Sequence, residues 1–146
     1  MSEEINLQRF IDAQEANYER ALSEINNGRK ESHWMWYIFP QIQGLGFSST
    51  SVVYAIRDIM EAEAFLKHPL LGNRLIGICN VLLKIRSSDA LQIFGSPDNV
   101  KLKSSMTLFS SLNMNPVFDS VLDKFFQGKK DDQTLSILAR QNKRRE

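Results

Sequence analysis

Apolar residues recur along this sequence at intervals of three and four, and this spacing constrains the fold more than any other feature. Between Leu7 and Ile25 they stand at positions 7, 10, 11, 18, 21, 22 and 25, which is one face of a helix. The same spacing returns in later segments. Neither strand-like alternation nor an internal repeat accompanies it. The sequence therefore predicts an all-α fold.

Start and stop signals divide the chain into about seven helices. After Asn26-Asn27-Gly28 ends the first, helices are predicted over 59–67, 69–85, 89–94, 100–112, 116–127 and 131–141. The segment V-V-Y-A-I at 52–56 fits either a helical turn or a short strand. A chain of 146 residues fits one domain, 1–146, whose ends, 1–5 and 142–146, we expect to fray.

Composition excludes several classes of function. Eighteen basic and 17 acidic residues leave a net charge of +1, so nucleic-acid binding is not expected from overall charge. Two histidines and one cysteine cannot build a structural zinc site, and no phosphate-loop or dinucleotide fingerprint is present. We therefore predict neither metal nor cofactor, and we expect Cys79, between apolar neighbours, to be a buried thiol.

Targeting signals are the next class that the sequence bears on. The N-terminal residues M-S-E-E-I-N are acidic and lack an apolar core, unlike a signal peptide. No apolar run approaches the ~20 residues that span a bilayer. We expect a cytoplasmic protein without a membrane partner.

The block from His33 to Ser51, H-W-M-W-Y-I-F-P-Q-I-Q-G-L-G-F-S-S-T-S, contains both tryptophans of the chain. Pro40, Gly44 and Gly46 make it too irregular for one helix. Its aromatic content is too high for a linker, because such side chains bury large apolar areas. The block therefore predicts a long, buried or half-buried aromatic loop between the first and second helices.

Trp34 and Trp36 are the candidate stacking residues of this block. In an extended segment residues two apart point the same way, whereas in a helix they do not. If the segment is extended, the two indoles could stack a flat ring such as a nucleobase, with Gln41, Ser48 and Ser49 as polar neighbours. The alternative is that both tryptophans anchor the core.

Two residues are candidates for proton transfer. His33 has an unperturbed pKa near neutrality and stands beside the indoles, and Asp98 lies in the second polar block. The alternative for His33 is a ring that donates to a backbone carbonyl and holds the loop. His68, which precedes Pro69, is expected to cap a helix.

A second block, S-P-D-N-V-K-L-K-S-S at 96–105, is a candidate anion site. Lys101 and Lys103 would supply charge, and Ser104 and Ser105 hydroxyl groups, near the start of a helix with free backbone donors. The alternative is a solvated helix with ordinary capping.

The two blocks and the intervening H-P-L-L-G-N-R-L resemble, in order, those of the bacterial domain-of-unknown-function family numbered 1810. The resemblance extends from about Leu7 to Ile137 and implies a single, mostly helical domain. It implies no activity. Some members are labelled calpastatin, the name of a disordered protease inhibitor, which a repeat-free chain with a full apolar core does not resemble.

Two functional hypotheses follow. In the first, a small anionic or nucleotide-like ligand binds in a pocket between the 33–51 loop and the start of the helix in 96–109, with His33 or Asp98 serving its hydrolysis or transfer. In the second, the chain is a non-catalytic protein-interaction or regulatory domain. The sequence names no protein partner.

Overall fold

The computed structural model describes residues 5–145, and their side chains as far as residue 143. These residues form a single compact all-α domain of ten helices, rather than about seven. The helices are α1 (Gln8–Glu15), α2 (Tyr18–Asn26), α3 (Met35–Ile38), α4 (Ser49–Val53), α5 (Ile59–Lys67), α6 (Leu71–Lys84), α7 (Ala90–Phe94), α8 (Asp98–Ser110), α9 (Val117–Phe126) and α10 (Asp132–Arg145).

The predicted first helix is broken at Asn17 into α1 and α2. The Asn17 backbone N–H donates to the Gln14 carbonyl, three residues back, while its side-chain amide donates to the Ala13 carbonyl. A side chain that competes in this way for backbone carbonyls interrupts the helical ladder. The apolar spacing still holds across the break, because Phe10, Ala21 and Ile25 are all buried.

The predicted long aromatic loop is not confirmed, because helices form in the segment between α2 and α5. The 33–51 block contains the short helix α3 and the start of α4. Among the described residues, Ile42 and Ile56 form one isolated parallel bridge. Of the two alternatives for the segment 52–56, the helical turn is present at its start, where α4 ends at Val53, and no strand forms among the described residues.

The predicted caps account for several helix boundaries. The Asp58 carboxylate accepts from the Glu61 N–H at the start of α5, and His68 Nδ1 accepts from the Leu70 and Leu71 N–H groups before α6. Helix α7 is capped by Asp89, whose side chain accepts from the Gln92 N–H. The last helix extends to Arg145, beyond its predicted end at Gln141. The predicted fraying of residues 1–4 and 146 lies outside the described residues.

Helix α6 lies at the centre of the fold, packed against α2, α5 and α9. Its buried face includes Leu75, Ile78 and Cys79. Gly72 permits the close approach of α5, since a Cβ there would lie 1.9 Å from the Leu66 carbonyl oxygen. Within residues 5–145, no helix is long and apolar enough to cross a membrane.

Candidate functional site

A cavity of about 350 Å³ lies between the chain segment 41–55 and the start of α8. We call it the Trp36 cavity. Its lining consists of Trp36, residues 41–47, Ser51, Val52, Tyr54, Ala55, Pro97, Val100, Lys101, Ser104, Asp131 and Gln133. The structure thus brings parts of both polar-aromatic blocks to one cavity, together with two residues next to or in α10.

Trp36 and Lys101 form the central contact of the lining. Trp36 is half-buried, and the Lys101 ammonium lies over its ring, 5.1 Å from the ring centroid. The same ammonium is 3.4 Å from Asp98 Oδ1. The indole nitrogen of Trp36 is buried and has no hydrogen-bond partner among the described residues. A buried hydrogen-bond donor without a partner lowers the free energy of unfolding by about 1–3 kcal/mol, and the Trp36 indole nitrogen is such a donor.

Asp98 links two lysines rather than facing the cavity. Its Oδ2 is 2.9 Å from the Lys30 Nζ, and its Oδ1 is occupied by Lys101. Lys30 in turn lies over the Trp34 ring, at 5.1 Å from the centroid. Each indole of the chain is therefore covered by a lysine, and Asp98 neutralises part of both positive charges.

Trp34 does not line the cavity. It is fully buried, and its indole nitrogen donates to Glu24 Oε1 at 2.9 Å. The helical turn of α3 separates the directions of Trp34 and Trp36, as expected for residues two apart in a helix. Of the two alternatives stated for the indoles, Trp34 is a core anchor.

Glu24 holds the segment that leads into α3. Its carboxylate accepts from the backbone N–H groups of Glu31 and Ser32, the Ser32 hydroxyl and the Trp34 indole. Burial raises the pKa of this carboxyl, but the hydrogen bonds from Ser32, Glu31 and Trp34 outweigh it and lower the pKa to about 2. The cavity wall that carries Trp36 therefore rests on a buried, ionised glutamate.

Helix α8 divides the predicted anion-site residues between its faces. Lys101 and Ser104 line the cavity, and the Ser104 hydroxyl donates to the Val100 carbonyl at 3.2 Å. Lys103 lies outside the lining, because residues two apart are about 200° apart around a helix. Ser105 is fully buried and also outside the lining.

The remaining predicted residues take different places. Gln41 lines the cavity. Ser48 and Ser49 are exposed and lie outside it, and Ser48 caps α4 by accepting from the Ser51 N–H. His33 is exposed and also outside the lining, and its ring forms no hydrogen bond with a described residue. Neither reading of His33, proton transfer or a ring-to-carbonyl bond, has a described contact to support it.

Most of the lining residues were not among the predicted ones, and those with polar or aromatic side chains include Gln43, Phe47, Asp131 and Gln133. Phe47 and Gln43 belong to the aromatic block, where position alone did not separate them from their neighbours. Asp131 was expected only as the start of the last predicted helix, and its Oδ2 accepts from the Thr134 N–H and hydroxyl. Nothing local marks Gln133, because it reaches the cavity only through the packing of α10.

In the described part of the chain, no group of three or more His, Cys, Asp or Glu side chains could hold a metal ion. Cys79 is fully buried, and burial raises the pKa of its thiol.

Comparison with known proteins places the chain in a family. None of the curated proteins is similar to it. It is similar to the conserved hypothetical protein Rv1873 from Mycobacterium tuberculosis, whose crystal structure is 41% identical and superposes with a TM-score of 0.90. The match covers 92% of this chain and 97% of that one. Residues 4–138 match the model of the family described as "Protein of unknown function (DUF1810)". The chain therefore belongs to the DUF1810 family.

Proposed function

We propose that this protein binds a small, planar, nucleotide-like ligand in the Trp36 cavity. The observation that carries the proposal is the lining itself, in which a half-buried indole, one lysine and several carboxamides surround about 350 Å³. Small-molecule sites are typically concave, about 300–1,000 Å³ in volume, and combine aromatic walls with a few polar groups. The Trp36 cavity has this size and this chemistry.

The polar groups of the lining suit the edge of a heterocycle. The side chains of Gln41, Gln43 and Gln133 line the cavity and make no hydrogen bond to another described residue. A carboxamide both donates and accepts, as the edge of a nucleobase requires. Stacking of a base on an aromatic side chain contributes about 1–3 kcal/mol. An indole floor with free carboxamides supports a planar ligand.

The charge of the lining supports at most a small anionic group on that ligand. Lys101 contributes one ammonium, and Asp98 already neutralises part of its charge. Asp131 is the one carboxylate among the described lining residues. A polyphosphate would meet little net positive charge here, so we propose a nucleoside or a nucleoside that carries one small anionic group, such as a single phosphate.

Binding is better supported than hydrolysis. A general acid or base must lie about 2.6–3.2 Å from the proton that it transfers. His33 and Asp98 both lie outside the lining, and both oxygens of Asp98 are occupied by lysines. The proposal therefore includes no reaction step.

A thermal-shift screen tests the proposal, using nucleosides, nucleotides, ADP-ribose, sugar phosphates and small carboxylates. A ligand at 100 times its dissociation constant adds about 2.7 kcal/mol to the free energy of unfolding. We expect a planar ligand to raise the melting temperature, and Trp36→Ala to abolish this shift.

Lysines 101 and 103 provide a matched pair of variants for the same screen. Lys101→Met should weaken binding of an anionic hit, whereas Lys103→Met, on the other side of α8, should not. Far-UV circular dichroism establishes that each variant is folded. Equal loss in both lysine variants, or binding that persists in folded Trp36→Ala, would contradict the proposal.

A second candidate function is protein interaction, and one observation favours it. Phe47, Val52, Val53 and Val100 are exposed by 88, 58, 53 and 52%, and three of them line the mouth of the Trp36 cavity. Exposed apolar patches often mark interaction sites. A screen without hits, combined with a partner captured by the native protein and lost in Val53→Ser, would favour this function.

A further inference from the structure

Phe47 is the most exposed of the large apolar side chains in the described part of the chain, yet it lines a cavity. Its exposed fraction is 88%, and its neighbours in the lining, Val52 and Val100, are also more than half exposed. Burial of a phenylalanine side chain removes a large apolar area from water and is therefore favourable. The mouth of the Trp36 cavity is therefore an apolar surface that gains stability when something covers it.

The segment that carries Phe47 is fixed at both ends and loosely held between them. At one end the Gln43 N–H donates to the Ile56 carbonyl at 2.7 Å, and at the other Ser48 caps α4. Between them, no backbone N–H of residues 44–47 donates to a described backbone carbonyl. Segments with few backbone hydrogen bonds open and close at low free-energy cost.

Two glycines shape this segment: Gly44 provides its point of rotation, and Gly46 allows its close approach to α4. Gly44 has a φ of +109°, which side chains rarely allow. A Cβ at Gly46 would lie 2.7 Å from the Ser51 Oγ, so only glycine fits beside α4. Residues that absorb large backbone changes in closing loops are often small. Phe47 follows Gly46 directly and lies three positions after Gly44.

We propose that the ligand carries an uncharged aromatic ring and that Phe47 closes over this ring, so that it lies between Phe47 and Trp36. This inference rests on the proposed function of the Trp36 cavity and names the part of the ligand that determines selectivity. Aromatic groups attract at centroid separations of 4.5–7 Å, so two aromatic walls bind a ring more tightly than one. The polar part of the ligand lies towards Lys101 and the carboxamides.

Substitution of Phe47 distinguishes its contribution to binding from that of Trp36. Adenosine serves as the ring-bearing probe and ribose 5-phosphate as the probe without a ring. We expect Phe47→Ala to weaken adenosine binding about fivefold or more, since stacking on one aromatic side chain contributes at least about that factor. Phe47→Tyr, which keeps the ring, should restore binding. Leu91→Ala, at a 55% exposed position on α7 outside the cavity, is the matched control.

Hydrogen exchange reports closure independently of affinity. The amides of residues 44–47 should exchange rapidly in the free protein and become protected when adenosine binds, but not in Phe47→Ala at saturating adenosine. Adenosine binding that requires Trp36 but not Phe47 overturns the closure and leaves the cavity proposal standing. Binding of ribose 5-phosphate but not adenosine overturns the aromatic ligand. If neither probe binds, the inference that a ring lies between Phe47 and Trp36 fails. The other ligands of the wider screen still test whether the Trp36 cavity binds a ligand.

Discussion

At the scale of single residues, Glu24 has a large structural role that the sequence pattern does not indicate. It is one acidic residue among 17, in a helix whose apolar face was easily recognised. Buried at the end of α2, it satisfies two backbone N–H groups, a hydroxyl and an indole. The position of Trp34, and through α3 that of Trp36, depends on this carboxylate.

We expect Glu24→Gln to lower the free energy of unfolding at pH 7 by about 2 kcal/mol, because a neutral amide replaces a charged acceptor of several hydrogen bonds. The folded-state pKa of about 2 lies below the ordinary value of 4.5. The native protein should therefore lose this stabilisation as the pH falls from about 4.5 to 2, and the variant should lose less over that range. Urea unfolding at pH 7, 4 and 3 measures both effects.

Glu31→Gln is the control for this prediction, since Glu31 is exposed and contributes only its backbone N–H to Glu24. Its stability should change by less than about 0.5 kcal/mol. Equal pH dependence in Glu24→Gln and the native protein would contradict the role of the carboxylate.

The orientation of the indoles of Trp34 and Trp36 shows how local structure decides a functional role. The two residues are two positions apart, so their side chains point the same way in a strand and different ways in a helix. A segment of five to seven residues around a proline is too short to predict which of the two forms. The turn of α3 directs Trp34 to the core and Trp36 to the cavity. Hydrogen bonding to Glu24, ten residues earlier in the chain, fixes that outcome.

At the scale of elements, α5 and α6 approach each other closely where Gly72 meets Leu66. Gly72 lies so near the end of α5 that a Cβ would overlap the Leu66 carbonyl. Gly77, one and a half turns later on α6, faces the Tyr18 hydroxyl at 3.2 Å from the position of a Cβ. The two glycines thus have different reasons to be in the same helix.

Gly72→Ala should destabilise the protein by about 1–3 kcal/mol, because α5 and α6 must move apart. Gly77→Ala should change stability by no more than about 1 kcal/mol in either direction, since alanine favours the helix while Tyr18 shifts slightly. Thermal unfolding of the two variants measures the difference. Similar destabilisation by both variants would indicate that the close approach of α5 and α6 is not the cause of the effect at Gly72.

At the scale of the whole molecule, one apolar core joins the helices. It extends from Leu7 near the start of the described chain to Phe125 in α9, and Cys79 lies fully buried inside it. Domains with one contiguous core usually unfold in a single cooperative transition. The thiol of Cys79 is therefore a reporter of global unfolding.

We expect a thiol reagent to modify the native protein at least about a thousandfold more slowly than the urea-unfolded chain, because reaction requires the rare unfolded state. Burial raises the pKa of the thiol, which further lowers its reactivity. The modification rate as a function of urea should follow the unfolding transition seen by circular dichroism. Rapid modification without urea would indicate local opening of α6.

The sequence by itself determined the all-α class, the family and most helix boundaries, because apolar periodicity and caps such as Asp58 and His68 act over a few neighbouring residues. Only the tertiary structure decided which residues share the Trp36 cavity. Gln133 and Asp131 line the same cavity as Trp36 because of the packing of α10, although they lie more than ninety residues later in the chain. Such contacts depend on how helices pack together, and the local spacing of apolar residues does not indicate that packing.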